Sequence, residues 1–366
     1  MKMQITFGKL CRVCLRALLI CGASLNFQYL FAQTQDSPWY FEDPSKEQAA
    51  PAAINTVKLS RSNSTKTVIV AVLDSGIDST HPSLTGKLLP GVDMVSPKAN
   101  HKGKRSSDFE PDTASDICPT TGQTNEGNLY HGTEVASVIA GNGNFGVIGV
   151  LSAAKILPVK IVGACSGRRN DLIDGITWAS GFQVEGLPLN PTPAKVINIS
   201  MAGGSATCTP ALQDVINRAN AKNIIIVSAA GNTFGKPSLE PAVCNGVISV
   251  GALNPDKSTA FFSAVDSRIN VGAPGGGAEK KEFKFKNKIR IATIESDFLG
   301  VSKHPTGSDT GLGTSFSAPL ASGVIAALAL DNPDITAVQV MDRIQNLAKQ
   351  SDDGGMHLLN YESMRK

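Results

Sequence analysis

The sequence predicts one large α/β domain over residues 61–366, a three-layer, doubly wound and mostly parallel sheet with helices on both faces. Three observations carry that expectation. Short, continuous apolar runs rich in Val and Ile recur along the chain, as buried parallel strands do. Helix-like stretches alternate with these runs, which is the βαβ pattern. No internal repeat and no composition break divides the roughly 300 residues that follow the N-terminal region.

Taken in order, TVIVAVL (67–73) is the first predicted strand, followed by runs at KILPVKIV (155–162), AKVINIS (194–200), NIIIVSA (223–229) and GVISVGA (246–252). Helices are predicted over 132–141, 171–182 and 210–222. Two more close the chain, 315–330 and 334–349, the last with Asp334 placed to cap it. The polar stretch from Lys98 to Asn128 reads as a surface loop. EKKEFKFKNKIR (279–290) alternates charge with Phe and Ile, the pattern of an exposed hairpin strand, with a substrate-contacting role as the other possibility. Residues 33–60, rich in Gln, Ala, Pro and Ser, read as an extended N-terminal arm.

Residues 1–32 have the composition of an export signal: Lys2, Lys9, Arg12 and Arg16 without an acid, an apolar stretch from Ala17 to Leu25, then Ala32 before a polar run. An uncleaved anchor is the main rival reading, and a lipid-modified start at Cys21 is a weaker one, because Ile20 is large for such a site. Cleavage would leave 30 basic against 31 acidic residues, a net charge of −1. The basic character of the whole chain then belongs to targeting, and electrostatic affinity for nucleic acid loses its basis. Cleavage also removes Cys11, Cys14 and Cys21 and leaves an even set, Cys118, Cys165, Cys208 and Cys244. In an exported protein that set suggests two disulfides. Spacing does not choose among the three possible pairings; Cys118 with Cys165 and Cys208 with Cys244 is preferred. A secreted or periplasmic monomer without stable membrane insertion is expected.

Amide hydrolysis by a serine needs a nucleophile, a base, a group that orients the base, and donors for the oxyanion. Asp74 follows the first strand directly, so its carboxylate emerges at the carboxyl end of a parallel strand, where open α/β sheets bind ligands. Alone, it reads more readily as a turn cap. His131 opens HGTEVASVIAG, a histidine leading into a helix of small and apolar residues, whereas His81, His101, His304 and His357 lie in turns, polar loops or near the end of the sequence. Ser315 lies in GTSFSAPLASG at a predicted helix start, whose free N–H groups can hold an oxyanion. Pro319 is expected within about the first turn of that helix. Asn232 ends NIIIVSAAGN, where its amide can donate a second hydrogen bond to the oxyanion or simply shape a turn.

Together VIVAVLDSGIDSTHPSL, HGTEVASVIAG, SAAGN and GTSFSAPLASG resemble the four signature blocks of the subtilisin-like serine proteases, with the match running from about residue 53 to 361. The resemblance implies a subtilisin-like fold and a serine endopeptidase acting on protein or peptide substrates. It implies that Asp74 orients His131, that His131 is base and then acid, and that Ser315 is the nucleophile. Asn232 and the Ser315 N–H would form the oxyanion hole, and Ser200, Met201, Ala202 and Gly203 would pair with the substrate backbone. Three features depart from the family pattern. Glu134 stands where a second histidine is usual, and is expected to raise the pKa of His131. Ala202 replaces a glycine of the substrate strand. The stretch 33–60 is short for the inhibitory prosegment common in the family.

Other motifs point nowhere. GNGNFG (141–146) follows a helix and precedes a strand, the reverse of a dinucleotide loop, and GNTFGK (231–236) is one residue short of a phosphate loop. Phe316 and Ser317 after the serine do not fit an esterase elbow. No cofactor is required for the expected catalysis. A structural calcium ion is possible at the acidic stretch Asp108, Glu110, Asp112 and Asp116, although a solvated loop is the preferred reading. The rival function is that of a protease-like fold serving as an inactive binding or effector protein.

Overall fold

Helices and strands alternate along the chain as the apolar runs require. The structure is a computed structural model that describes residues 38–46, 49, 53–60, 64–97, 104–112, 116, 118, 121–122, 129–278, 285–286, 289–296, 303–348 and 356–366. Residues 38–366 form one compact unit. The expected export signal, 1–32, lies outside the described residues.

The strands are β1 (Val68–Asp74), β2 (Val92–Asp93), β3 (Ala154–Lys160), β4 (Val162–Gly163), β5 (Ser166–Gly167), β6 (Val196–Ile199), β7 (Ile225–Ala229), β8 (Val247–Leu253), β9 (Val271–Pro274), β10 (Gly277–Ala278), β11 (Phe285–Lys286), β12 (Ile289–Ser296) and β13 (Lys303–Gly311). The helices are α1 (Val57–Ser60), α2 (His131–Ala140), α3 (Arg169–Ala179), α4 (Pro210–Ala221), α5 (Thr314–Asp331), α6 (Ala337–Ala348) and α7 (Tyr361–Arg365). Seven strands form a parallel sheet in the order β2-β3-β1-β6-β7-β8-β9. Successive strands run to one side of β1 and then, from β6 onward, to the other. That reversal opens a crevice at the carboxyl ends of β1 and β6, the topological switch point where such sheets bind ligands.

Alternate residues of each strand feed opposite layers. Val70, Val72, Val196, Val227 and Val250 pack with α2, α5 and α6 on one face. Ala71, Leu73, Ile197, Ile199 and Ile226 pack with α3 and α4 on the other. α5 is apolar on every side and runs buried from Phe316 to Ala329. A helix covered all round needs no polar face, so its composition alone does not make it a membrane span.

The structure differs from the expectations in several places. The stretch read as an extended arm is partly core. Tyr40, Phe41 and Ile54 are buried against the layer of α2 and α5, and Ile54 accepts a hydrogen bond from Tyr361 N–H at 3.1 Å. Trp39, Tyr40 and Phe41 form one short aromatic cluster in a polar stretch, too brief to show the periodicity of a helix or strand. Within the stretch 279–290, expected as an exposed hairpin strand, Phe285–Lys286 forms β11, paired antiparallel with β10, and from Ile289 the chain enters β12, paired antiparallel with β13. Residues 279–284 and 287–288 lie outside the described residues. Ile289 and Ile291 of β12 are buried rather than exposed.

The polar insert before α2 is more than a surface loop. Lys160, at the end of β3 and 1% exposed, donates to Asp112 and to the Glu110 carbonyl at 3.0 Å. The other Asp112 oxygen accepts from Ala164 N–H at 2.7 Å. Asp112 was read as part of a solvated acidic loop, but a buried ammonium needs a counter-charge and Asp112 supplies it. The disulfide Cys118–Cys165 ties the same insert to the β4–β5 turn, and Cys208–Cys244 forms the second, matching the preferred pairing. Lys160 is also the register partner of Asp74. Lys160→Met therefore leaves a buried carboxylate without its counter-charge, and is predicted to cost about 3–5 kcal/mol in urea unfolding. A loss below about 1 kcal/mol would contradict a structural ion pair.

Candidate active site

At the switch point the end of β1 and the start of α2 are clasped by their own backbones. Ser75 N–H donates to Asp74 Oδ1 at 2.7 Å, and the Ser75 hydroxyl donates to the Leu129 carbonyl at 3.0 Å while accepting Gly132 N–H at 3.1 Å. Asp78 N–H donates to the buried Thr133 hydroxyl at 2.9 Å. A Cβ on Gly132 would strike the Gly76 carbonyl, so only glycine lets the helix come this close to the strand. His131 is thereby held with Nδ1 at 2.9 and 3.0 Å from the two Asp74 oxygens. The carboxylate can only accept, so the ring proton sits on Nδ1 and Nε2 is left as a base.

Asp74 is 1% exposed and the His131 side chain 16%. Burial disfavours the imidazolium, but the charge of Asp74, its hydrogen bond and the charge of Glu134 together outweigh burial and raise the pKa of His131 above the ordinary 6.5. Acid is therefore needed less than usual to keep the ring charged.

The serine arrives on α5. Gly313 adopts φ +139° immediately before the helix, and a Cβ there would lie 3.1 Å from Asn232 Nδ2. Thr314 N–H and its hydroxyl both donate to Asn232 Oδ1, at 3.0 and 2.9 Å. With its oxygen anchored, the amide of Asn232 has only Nδ2 without a partner among the described residues. The Ser315 N–H, in the first helical turn, makes no hydrogen bond among the described residues. Pro319 falls in the second turn rather than about the first. Its missing N–H would have bonded the Ser315 carbonyl four residues back. That carbonyl instead accepts the Ser200 hydroxyl at 2.8 Å. Asn198 Nδ2 donates to Ser200 Oγ at 3.0 Å, and Ser322 Oγ donates to Asn198 Oδ1 at 2.9 Å. The end of β6 is thus fixed to α5 by a buried polar chain whose links reinforce one another.

Asp74, His131, Asn232, Thr314 and Ser315 all line one cleft of about 650 Å³, with Ser200, Met201, Ala202 and Gly203 along its edge. Every site residue expected from the sequence, apart from the disulfide cysteines, is brought to this cleft. Ser75, Thr133 and Thr314 were missed: a hydroxyl beside a recognised residue gives no sign in the sequence of which backbone group it will meet. Ala202 directs its methyl toward Gly231, 3.3 Å from where a Cβ on that glycine would stand, which narrows the slot between them.

An acid–imidazole pair and a serine at a helix start, gathered at the switch point of a parallel sheet, define a site of the serine-hydrolase type. The description of the subtilase family matches residues 65–361, and the chain belongs to that family of subtilisin-like serine proteases. It is similar to an extracellular basic protease of Dichelobacter nodosus, 35% identical over 71% of this chain and 42% of that protein. It is also similar to an extracellular protease of Xanthomonas campestris pv. campestris, 33% identical over 77% of this chain and 47% of that protein. The chain spans less than half the length of these two relatives. Among solved structures, a protease of Pseudoalteromonas arctica PAMC 21717 superposes with a TM-score of 0.70 at 32% identity, covering 89% of this chain and 96% of that one.

Because Glu134 adds negative charge near His131, Glu134→Gln is predicted to lower the pH at which the imidazole titrates, as followed by NMR of the ring protons. A titration curve identical to that of the parent protein would remove Glu134 from the account.

Proposed function

We propose that the chain is a secreted serine endopeptidase that hydrolyses peptide bonds through an acyl-enzyme on Ser315. The observation that carries this reading is the hydrogen-bonded Asp74–His131 pair in the same cleft as Ser315, with Asn232 Nδ2 and the Ser315 N–H both unused as donors among the described residues. In this reading a peptide lies along Ser200–Gly203. His131 Nε2 takes the Ser315 proton as Oγ bonds to the carbonyl carbon, and the resulting oxyanion is held by Asn232 Nδ2 and the Ser315 N–H. Asp74 stabilises the imidazolium that forms. The imidazolium then protonates the departing amine as the C–N bond breaks. Water, deprotonated by the same nitrogen, attacks the ester, and Ser315 recovers its proton as the acid leaves. These steps use groups of this chain and one water; at the acidic stretch, Asp112 is committed to Lys160 and the Ala164 N–H rather than open to a calcium ion.

Export is supported by the N-terminal signal pattern, by the two disulfides, which suit an oxidising compartment, and by the names of the two extracellular relatives. The near-neutral charge left after removal of residues 1–32 gives no electrostatic basis for nucleic-acid binding and suits protein or peptide chains as substrates.

The reading is tested by treating residues 33–366 with an organophosphorus reagent and mapping the adduct. Modification of Ser315 with loss of peptide hydrolysis is expected. Hydrolysis absent before treatment, with Ser315 unmodified, would favour an inactive binding protein. Asn232→Ala is predicted to cut kcat by about 10²- to 10³-fold with KM little changed, a range established on subtilisin for one oxyanion donor. The base must be neutral to act, so kcat/KM should rise with pH through the raised value of His131. An acid limb centred below 6.5 would contradict that assignment.

A further inference from the structure

The cleft continues beyond the serine along Ser200–Gly203 to a charged end. Gly203 N–H donates to the Glu240 carbonyl at 3.0 Å, and a Cβ on the next residue, Gly204, would stand 3.0 Å from Arg169 Nη2 and 3.2 Å from Glu240 Oε2. Arg169 and Glu240 are bound to each other there. Arg169 Nε and Nη2 each lie 2.9 Å from Glu240 Oε2, and Thr209 N–H occupies Glu240 Oε1 at 2.6 Å. Glu240 is 4% exposed and its charge is spent.

Arg168, beside this pair, also lines the cleft but is exposed; its carbonyl accepts the Leu172 N–H at 3.1 Å, while its side chain makes no hydrogen bond or ion pair among the described residues. The acids that face it are engaged elsewhere. Asp171, one turn into the helix, is fully buried and accepts the Ser96 N–H at 3.1 Å, with Arg105 at 3.6 Å; Asp174 takes Arg105 at 2.5 Å. Arg168 is the N-cap of α3, and its side chain caps nothing. Helix starts favour Ser, Thr, Asp or Asn there, and the positive end of the helix repels a cation. For Arg169 the conflict is relieved by Glu240. For Arg168 the offset among the described residues is the longer-range charge of Asp171, already engaged by Ser96 and Arg105, and a local rule broken with so little compensation marks a functional position. The guanidinium and the helix start together direct a positive field into the cleft.

We propose that this cleft selects substrates with an acidic side chain on the acyl side of the scissile bond, read by the guanidinium of Arg168. The proposal rests on the endopeptidase reading, in which the acyl part of the substrate lies along Ser200–Gly203 and so runs from Ser315 toward Arg168. Arg suits the role, because its planar fork meets a carboxylate with two parallel N–H donors.

Peptide pairs that differ only by Glu or Gln at one of the four positions before the cut separate the two readings. The parent protein should hydrolyse the Glu member with a kcat/KM about three- to tenfold higher at one position, the range of a partly exposed charge-assisted pair. Ser315→Ala should bind that member more tightly by a similar ratio. Arg168→Gln should level the preference and Arg168→Glu should reverse it, while about 0.5 M salt should shrink it. Ratios within twofold at every position, or a preference that survives Arg168→Gln, would overturn the proposal. Should the parent protein cleave none of the peptides while Ser315→Ala still binds the Glu member better, the endopeptidase reading falls and the acidic preference stands. If it neither cleaves them nor distinguishes the pair in binding, both fall.

Discussion

The contact on which the rest of the site depends is the one between Asp74 and the Nδ1 of His131. It joins the last residue of the strand beside the sheet's switch point to the first residue of a helix lying across one face. Neither group would hold this position alone. A carboxylate at 1% exposure needs donors, and it has the Ser75 N–H and the imidazole. The imidazole needs a fixed tautomer, and the carboxylate sets it. The clasp of Ser75 around Leu129 and Gly132 fixes the distance between the two elements, so the pair is built before any ligand arrives.

The second half of the site is built on α5 by a different device. Its first turn presents Thr314 to Asn232 and leaves the Ser315 N–H without a bond among the described residues, while Pro319 releases the Ser315 carbonyl to Ser200. One proline thus fixes the helix to the end of β6, and one threonine settles which end of Asn232 faces the cleft. The serine, the amide and the Ser200–Gly203 edge of the cleft are consequently oriented by one helix, which is buried on nearly all sides and has little freedom to shift. Lys160 and Asp112 do the same for the opposite wall, tying the insert before α2 to the strand beside Asp74.

Much of this was legible in the sequence, for identifiable reasons. Strands buried on both faces require unbroken apolar runs, so β1, β3, β6, β7 and β8 could be read directly. The short β9, VGAP, could not, because four residues with a glycine and a proline carry no such run. Asp74, His131, Asn232 and Ser315 were legible because each stands at a strand end or helix start within a recognisable block. What escaped were relations between distant segments. The bond from Ser200 to Ser315 spans 115 positions and that from Lys160 to Asp112 spans 48. Composition cannot show which acid will meet a buried lysine. Nor could it show that Tyr40, Phe41 and Ile54 complete the core layer beneath α2 and α5.

The central claim is that the Asp74–His131 pair, Ser315 and Asn232 act as one assembly on a peptide laid along Ser200–Gly203. A crystal structure of the protein with a peptidyl boronic acid tests it most directly, because a tetrahedral boronate copies the charge and shape of the addition intermediate. The account predicts boron bonded to Ser315 Oγ, one boronate oxygen at about 3 Å from Asn232 Nδ2 and the Ser315 N–H, and the peptide backbone paired with Ser200–Gly203. Boron bound elsewhere, or a peptide lying off that edge with Asn232 Nδ2 turned away, would contradict it.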